Sequence, residues 1–240
     1  MGLLDGLTTD ENIKVETDSL GGFQVLDSNV YDFKIKNAFI TLSSGKAMAF
    51  NIHCKSTDGK ELRQQLWVAS GEAKGCKNYY IDKKTGDKRY LPGFNQANAI
   101  CLLTVGKELS KLETTPGVAE VYGEKTKVDV LKDLIGQDIT LGVIKQLVDK
   151  TAKNPDTGNY EPTGESKTEN EIDKVFRARD GLTVTEIRAK LTDPVFKGKW
   201  TEKWNGQVKD KTTNTSGAVA GAPAAKRTAG AAAPVDDLFV

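Results

Sequence analysis

The sequence predicts a mainly β protein, an antiparallel sheet leading into a small barrel or sandwich, with added helices. Three observations predict it. Apolar residues alternate with polar ones through three successive stretches: Tyr31, Phe33 and Ile35; Met48, Phe50, Ile52 and Cys54; and Leu62, Leu66 and Val68. That is the period of a strand buried on one face. Short turn signals, Ser43-Ser44-Gly45 and Thr57-Asp58-Gly59, separate these stretches, so the strands follow one another as a meander. From residue 211 to 234 the composition falls to mostly Thr, Ala, Gly, Pro and Ser, too little apolar surface to repay the entropy of ordering, so a disordered tail is expected.

Taken in order, residues 1–22 are polar and punctuated by Gly, and read as an extended arm. In the first strand the apolar phase changes between Ile35 and Ala38, Ile40 and Leu42, which predicts a bulge near Asn37. In the third, Leu62, Gln64, Leu66 and Val68 share one face and Arg63, Gln65 and Trp67 the other. Trp67 is open to two readings at this point, a stacking platform or a second core contact. Lys77 to Phe94 reads as a hairpin, and Pro92-Gly93 breaks its second arm. Asn95 is placed to cap a helix running to about Thr104. Pro116-Gly117 ends that region, and Val128, Val130, Leu131, Leu134 and Ile135 suggest a short helix. Ile139, Leu141 and Val143 alternate as a further strand, with Leu147 prolonging it after a change of phase.

Residues 151–171 read as a mobile loop, and Ile172, Val175 and Phe176 as the strand that closes the sheet. Thr183-Val184-Thr185-Glu186 is a capping box, opening a helix whose apolar side is Val184, Ile187 and Leu191 and which Asp193-Pro194 stops. Trp200 and Trp204 share a helical face as core anchors. The expected organisation is one β domain over 1–205 with its N-terminal arm, a flexible linker over 206–234, and a tip over 235–240.

Formal net charge is +1, so bulk charge selects no partner, but its distribution is uneven. Residues 1–54 hold four lysines against seven acids, whereas residues 55–92 hold nine cations against five acids. The basic excess surrounds the hairpin, which interleaves Tyr79, Tyr80 and Tyr90 with Lys77, Lys83, Lys84, Lys88 and Arg89. With 83–86 as the loop and Gly86 at positive φ, Tyr79 falls opposite Tyr90 and Tyr80 opposite Arg89. Flat rings beside cations suit single-stranded nucleic acid, whose bases stack while its phosphates need positive charge. The stacking candidates are Trp67, Tyr79, Tyr80, Tyr90 and Phe94. The phosphate candidates are Arg63, Lys74, Lys77, Lys83, Lys84, Lys88 and Arg89.

Enzyme signals are weak. The one histidine, His53, lies inside a strand and faces away from its apolar side, and no nucleophile-elbow pattern is present. Gly117 to Thr126 has five residues between its glycines, and Glu124 where a phosphate loop needs Lys. His53, Cys54, Cys76 and Cys101 contain no Cys-x-x-Cys pair, and adjacent strand residues point to opposite faces. The expectation is therefore no catalysis, no metal and no cofactor. No apolar run approaches the ~20 residues of a membrane span. The opening MGLLDGLTTDE lacks the pattern of a signal peptide, and Gly6 breaks the myristoylation pattern. Three widely spaced cysteines fit reduced thiols in a cytoplasm.

The chain closes on Val235-Asp236-Asp237-Leu238-Phe239-Val240, two acids followed by large apolar residues. With the β core, the aromatic and basic hairpin and the polar linker, this layout resembles bacteriophage replication single-stranded DNA-binding proteins. The resemblance implies an OB-fold barrel that holds single-stranded DNA during replication or recombination. It also implies a tail whose Asp236, Asp237, Leu238 and Phe239 recruit replication proteins, and the host cytoplasm as compartment. It is architectural over most of the chain, and the tip departs from the family's pattern by ending in Val240 with few acids. Two other readings stand beside it: a non-catalytic structural or protein-interaction β domain, and a nucleotide-processing enzyme.

Overall fold

The computed structural model describes residues 25–121, 123–155, 158 and 160–213. The arm over 1–22 and the tip, with Asp236, Asp237, Leu238 and Phe239, lie outside them.

The three alternating stretches form the meander. β1 (Asn29–Leu42), β2 (Met48–Lys55) and β3 (Glu61–Ala69) pair antiparallel in sequence order. The bulge falls where the phase change predicts it: the β1–β2 register shifts between Ile35 and Asn37. Ile35 and Ala38 are both fully buried, so the extra residue turns Lys36 and Asn37 outward together.

Two small strands, β4 (Tyr79–Ile81) and β5 (Lys88–Tyr90), make a separate hairpin, and α1 (Pro92–Val105) follows. The helix starts three residues before the expected Asn95 cap, because proline costs nothing at a helix's first position, where the missing N–H has no partner to lose. Its Ala97, Ile100, Cys101 and Leu103 complete the main core with Phe33, Phe50, Ile52, Leu62 and Leu141.

The next region corrects three expectations. Pro116-Gly117 does not end an element but lies within β6 (Thr115–Val121), which pairs with β7 (Glu124–Val130), itself joined to the far edge of β1 at Phe39 and Ile40. The expected helix over 128–135 is the end of β7 plus one 3-10 turn at Lys132–Leu134. The expected loop over 151–171 is largely a two-stranded ribbon. β8 (Asp138–Lys153) and β9 (Tyr160–Phe176) pair along almost their whole length, with shifts at Gly142/Val143 and Asp149/Thr151. Cross-strand pairing holds the polar outer half together, a contribution that composition alone does not register.

β8 joins β1 along Asp138–Val143. Beyond that, on the same edge, β10 (Val208–Asp210) pairs parallel with β8, so the sheet continues past residue 205 into the stretch expected to be linker. α2 (Val184–Arg188) packs beside α1 with Val184 and Ile187 on the main core, whereas α3 (Val195–Trp204) packs against β1 and β8. The capping box opens α2 as expected, but α2 ends at Arg188 and Leu191 is left exposed. Trp200 is the core anchor, packed with Ile144 and Phe176 and donating Nε1–H to Asp173 at 2.7 Å. Trp204 is only half-buried.

Among the described residues no backbone ladder joins β3 to β9. α1 packs between them, and two glutamines bridge the seam. Gln64 of β3 accepts from the Ile172 amide at 3.3 Å, and Gln96 of α1 donates to the Ile172 carbonyl at 2.6 Å.

Candidate nucleic-acid interface

The hairpin has the register its sequence predicts: Tyr79 opposite Tyr90, Tyr80 opposite Arg89, Ile81 opposite Lys88. Asp82 and Asp87 close the loop through the Asp82 amide and the Asp87 carbonyl, 2.8 Å apart. Gly86 takes φ +77°, where a side chain would be strained. The Asp82 carboxylate accepts from the Lys84 amide at 2.8 Å. That bond above all, helped by the Thr85 amide and the charges of Arg89 and Lys84, holds its carboxyl below the usual carboxylate range.

Two aromatic stations result. Tyr79 is half-buried, with Lys77 Nζ 5.7 Å and Lys88 Nζ 5.3 Å from its ring centre. Tyr90 is 55 % exposed and rests against Phe94 of α1, ring centres 5.0 Å apart and planes tilted by 34°. Phe94 in turn packs on the main core, so Tyr90 has a firm backing. Tyr80 and Ile81 are also exposed. Lys83, Lys84 and Lys88 project into solvent, whereas Arg89 lies 3.3 Å from Asp82 through Nε.

The hairpin is tied to β3 at its base. The Ser70 amide donates to the Lys77 carbonyl, and the Leu91 amide to the Asn78 carbonyl. Lys74, exposed, ends the 3-10 turn Glu72–Lys74 between β3 and β4. The Glu72 amide donates to the Gly45 carbonyl at 2.8 Å, which brings the β1–β2 turn to the same end. Gly93 sets the spacing to α1: a Cβ there would lie 2.4 Å from the Trp67 carbonyl oxygen and 2.8 Å from its nitrogen.

Trp67 itself is 45 % exposed, so it is not a second core contact. It shares the outer face of β3 with Gln65 and exposed Arg63. The face is polar beyond them. Gln65 Nε2 donates to Asn51 Oδ1 at 3.2 Å, Asn51 Nδ2 donates to Thr41 Oγ1 at 2.9 Å, and His53 Nε2 lies 3.3 Å from Glu61 Oε2. The structure thus gathers the hairpin residues and Phe94 at one end of β3, with Trp67 beside them. Arg63 lies toward the other end of β3, away from that cluster.

A cleft lies elsewhere. It measures about 980 Å³ and opens beside the C-terminal end of α1, lined by Lys34, Lys36, Lys55, Arg177 and Arg179. None of these five is among the residues that the sequence marks as site candidates. The bulge is a signal that could have pointed to Lys36, since it turns Lys36 outward together with Asn37.

Among the described residues no group of three or more His, Cys, Asp or Glu is placed to hold a metal ion, and no helix is long and apolar enough to cross a membrane. His53 is half-buried and its neighbour Cys54 fully buried, on opposite faces of β2. Burial pushes the Cys54 and Cys101 thiols up to about 12. Comparison with protein-family models and with curated proteins finds no match to this chain.

Proposed function

We propose that this protein binds single-stranded DNA through the hairpin and the adjoining outer face of β3, without catalysis, in phage replication or recombination. The observation that carries this reading is the pair of aromatic stations. Tyr90 offers more than half its surface while backed by Phe94, and Tyr79 sits between Lys77 and Lys88. Bases stack on such rings at ~1–3 kcal/mol each, and the neighbouring ammonium groups meet phosphates. Inside an intact duplex the base faces are covered, so the arrangement favours single strands.

The connectivity supports an OB-like barrel as the scaffold. β1, β2 and β3 form the meander, α1 fills the side where β3 and β9 face each other, β8 returns to β1, and β9 pairs with β8. Barrels of that kind bind oligonucleotides on the face of their second and third strands and with adjacent loops. Here that face presents Trp67 and Arg63, and the β1–β2 turn docks beside the hairpin.

Fluorescence anisotropy with matched single- and double-stranded oligonucleotides at one salt concentration tests the reading. A clear preference for the single strand is expected, and equal affinity would refute it. The proposal includes recruitment of a replication protein by Asp236, Asp237, Leu238 and Phe239. Deleting Val235–Val240 should then abolish binding to that partner while DNA affinity survives, and loss of DNA binding instead would mean the DNA site lies on another part of the chain.

A further inference from the structure

We propose that the bound strand does not stop at the hairpin but continues down the outer face of β3 and seats its phosphates in the basic cleft around Lys36 and Arg179. This rests on the single-strand reading above and adds a second contact region to it.

The register lays out the path. Trp67 and Arg63 lie four residues apart on one face of β3, about 13 Å along the strand. Arg63 pairs with His53 of β2, and His53 with Asn37 of β1, whose neighbour in the bulge is Lys36. Two strand spacings of about 4.8 Å therefore separate the Arg63 row from the Lys36 row. The bulge decides the matter for Lys36. Without the extra residue, strict alternation from buried Ile35 would leave only one of Lys36 and Asn37 outward; with it, both face out, and Lys36 lines the cleft.

The cleft suits a phosphodiester chain. Five cations line it against two acids, Asp32 and Asp138. Lys36 has no acidic partner among the described residues, and Arg179 is 73 % exposed at 3.4 Å from Asp180. Lys34, Lys55 and Arg177 are paired at 2.6 Å, 3.0 Å and 2.6 Å with Asp138, Glu61 and Asp180. The Lys34 and Lys55 pairs are exposed and worth little, so a phosphate can take the place of the carboxylate there at modest cost, whereas Arg177 stays held by Asp180 in a part-buried bidentate fork. The cleft lies at the opposite end of α1 from the hairpin, and a 14-residue helix is about 21 Å long. An oligonucleotide must therefore be long to touch both regions.

The test compares dT6 with dT18 on the full chain over a salt series, using Lys36→Ala, Arg179→Ala and their double variant. Lys199→Ala, at an exposed position of α3, makes the same charge change away from the path. Each phosphate that no longer meets a cation should lower the dT18 salt slope by about 0.7. The expected result is a several-fold loss of dT18 affinity in the double variant, with dT6 binding and Lys199→Ala unchanged. If the double variant binds dT18 as Lys199→Ala does, while Tyr90→Ala weakens both lengths, the cleft proposal falls and the hairpin reading stands. If the wild-type chain binds neither oligonucleotide, both fall together.

Discussion

In the proposed single-strand reading Tyr90 and Lys88 are close in sequence but differ in role, and replacing each separates stacking from charge. Tyr90 is backed by Phe94 at 5.0 Å and leaves 55 % of its surface open, room for one base. Removing that platform by Tyr90→Ala forfeits ~1–3 kcal/mol, a loss of roughly 5- to 150-fold in affinity at 1.4 kcal/mol per tenfold. Because no charge changes, the slope of log affinity against log salt should stay where it was. Lys88→Ala removes a cation 5.3 Å from the Tyr79 ring centre. Its effect should be a slope smaller by about 0.7, so that the variant and wild type converge as salt rises. Tyr90→Phe keeps the ring and should bind as wild type, which separates stacking from any role of the hydroxyl. Anisotropy titrations of a labelled oligo-dT over a salt series read both quantities at once. If Tyr90→Ala and Lys88→Ala both leave affinity and slope within error, the hairpin is a solvated face and the central assignment is wrong. If Tyr90→Ala alters the slope and not the high-salt affinity, its contribution is electrostatic and the stacking argument fails.

Four further outcomes follow from the packing and titration of the fold. Gly93→Ala should destabilise by about 1–3 kcal/mol in urea melts, since its Cβ would meet backbone atoms of Trp67 at 2.4 and 2.8 Å; an unchanged midpoint would mean that α1 moves freely against β3. Glu186 is buried and accepts from the Thr183 amide and hydroxyl at 2.9 Å and from the Phe196 amide at 2.8 Å, tying α2 to α3; Glu186→Ala should cost about 1–3 kcal/mol, against little for Glu202→Ala, an exposed position of α3. The Arg177 guanidinium holds the Asp180 carboxyl down to about 2, so its stabilisation is complete above the unfolded value of ~3.9 and is lost as pH falls from there through about 2. Solvent screening keeps that stabilisation below about 1 kcal/mol, and Asp180→Asn should remove this part of the acid dependence in pH-resolved melts. Of the three cysteines only Cys76 is exposed, so a thiol reagent at pH 8 should modify one cysteine quickly in the folded chain and all three after denaturation.

Much of the fold is legible in the sequence because it is local. The meander needs only period-2 alternation and two turn signals, and the hairpin register follows from a four-residue loop with Gly86 at its end. The bulge is legible too, since Ile35 and Ala38 cannot both point inward on a regular strand. The ribbon of β8 and β9 is not. Its outer half pairs residues such as Lys153 and Tyr160, Ala152 and Glu161, Thr151 and Pro162, none of which signals a strand alone. What orders them is the partner strand, a non-local contribution that overrides weak propensity. The stretch Val128–Val130 misleads for the opposite reason. Its apolar residues fit a helix spacing as well as a strand, and pairing to Phe39 and Ile40 of β1 decides it.

The candidate site divides along the same line. Tyr79, Tyr90, Lys77 and Lys88 are near neighbours in sequence, so the single stretch from Lys77 to Phe94 holds both stations. Phe94 stands out within that stretch, yet what gives it value, the core beneath it and the ring of Tyr90 above, depends on where α1 starts. The cleft draws on β1, β2 and the segment after β9, so no single stretch contains it; Lys36 and Arg179 stand 143 positions apart. A single bulged residue links the two cases. It is visible in the sequence as a slip of phase, and its consequence, Lys36 aimed at a cleft shared with Arg179, exists only once β9 has folded back along β8. In the proposed single-strand reading, the rings that would stack bases lie in one stretch of sequence, whereas the cations that would meet phosphates come together only in the assembled sheet.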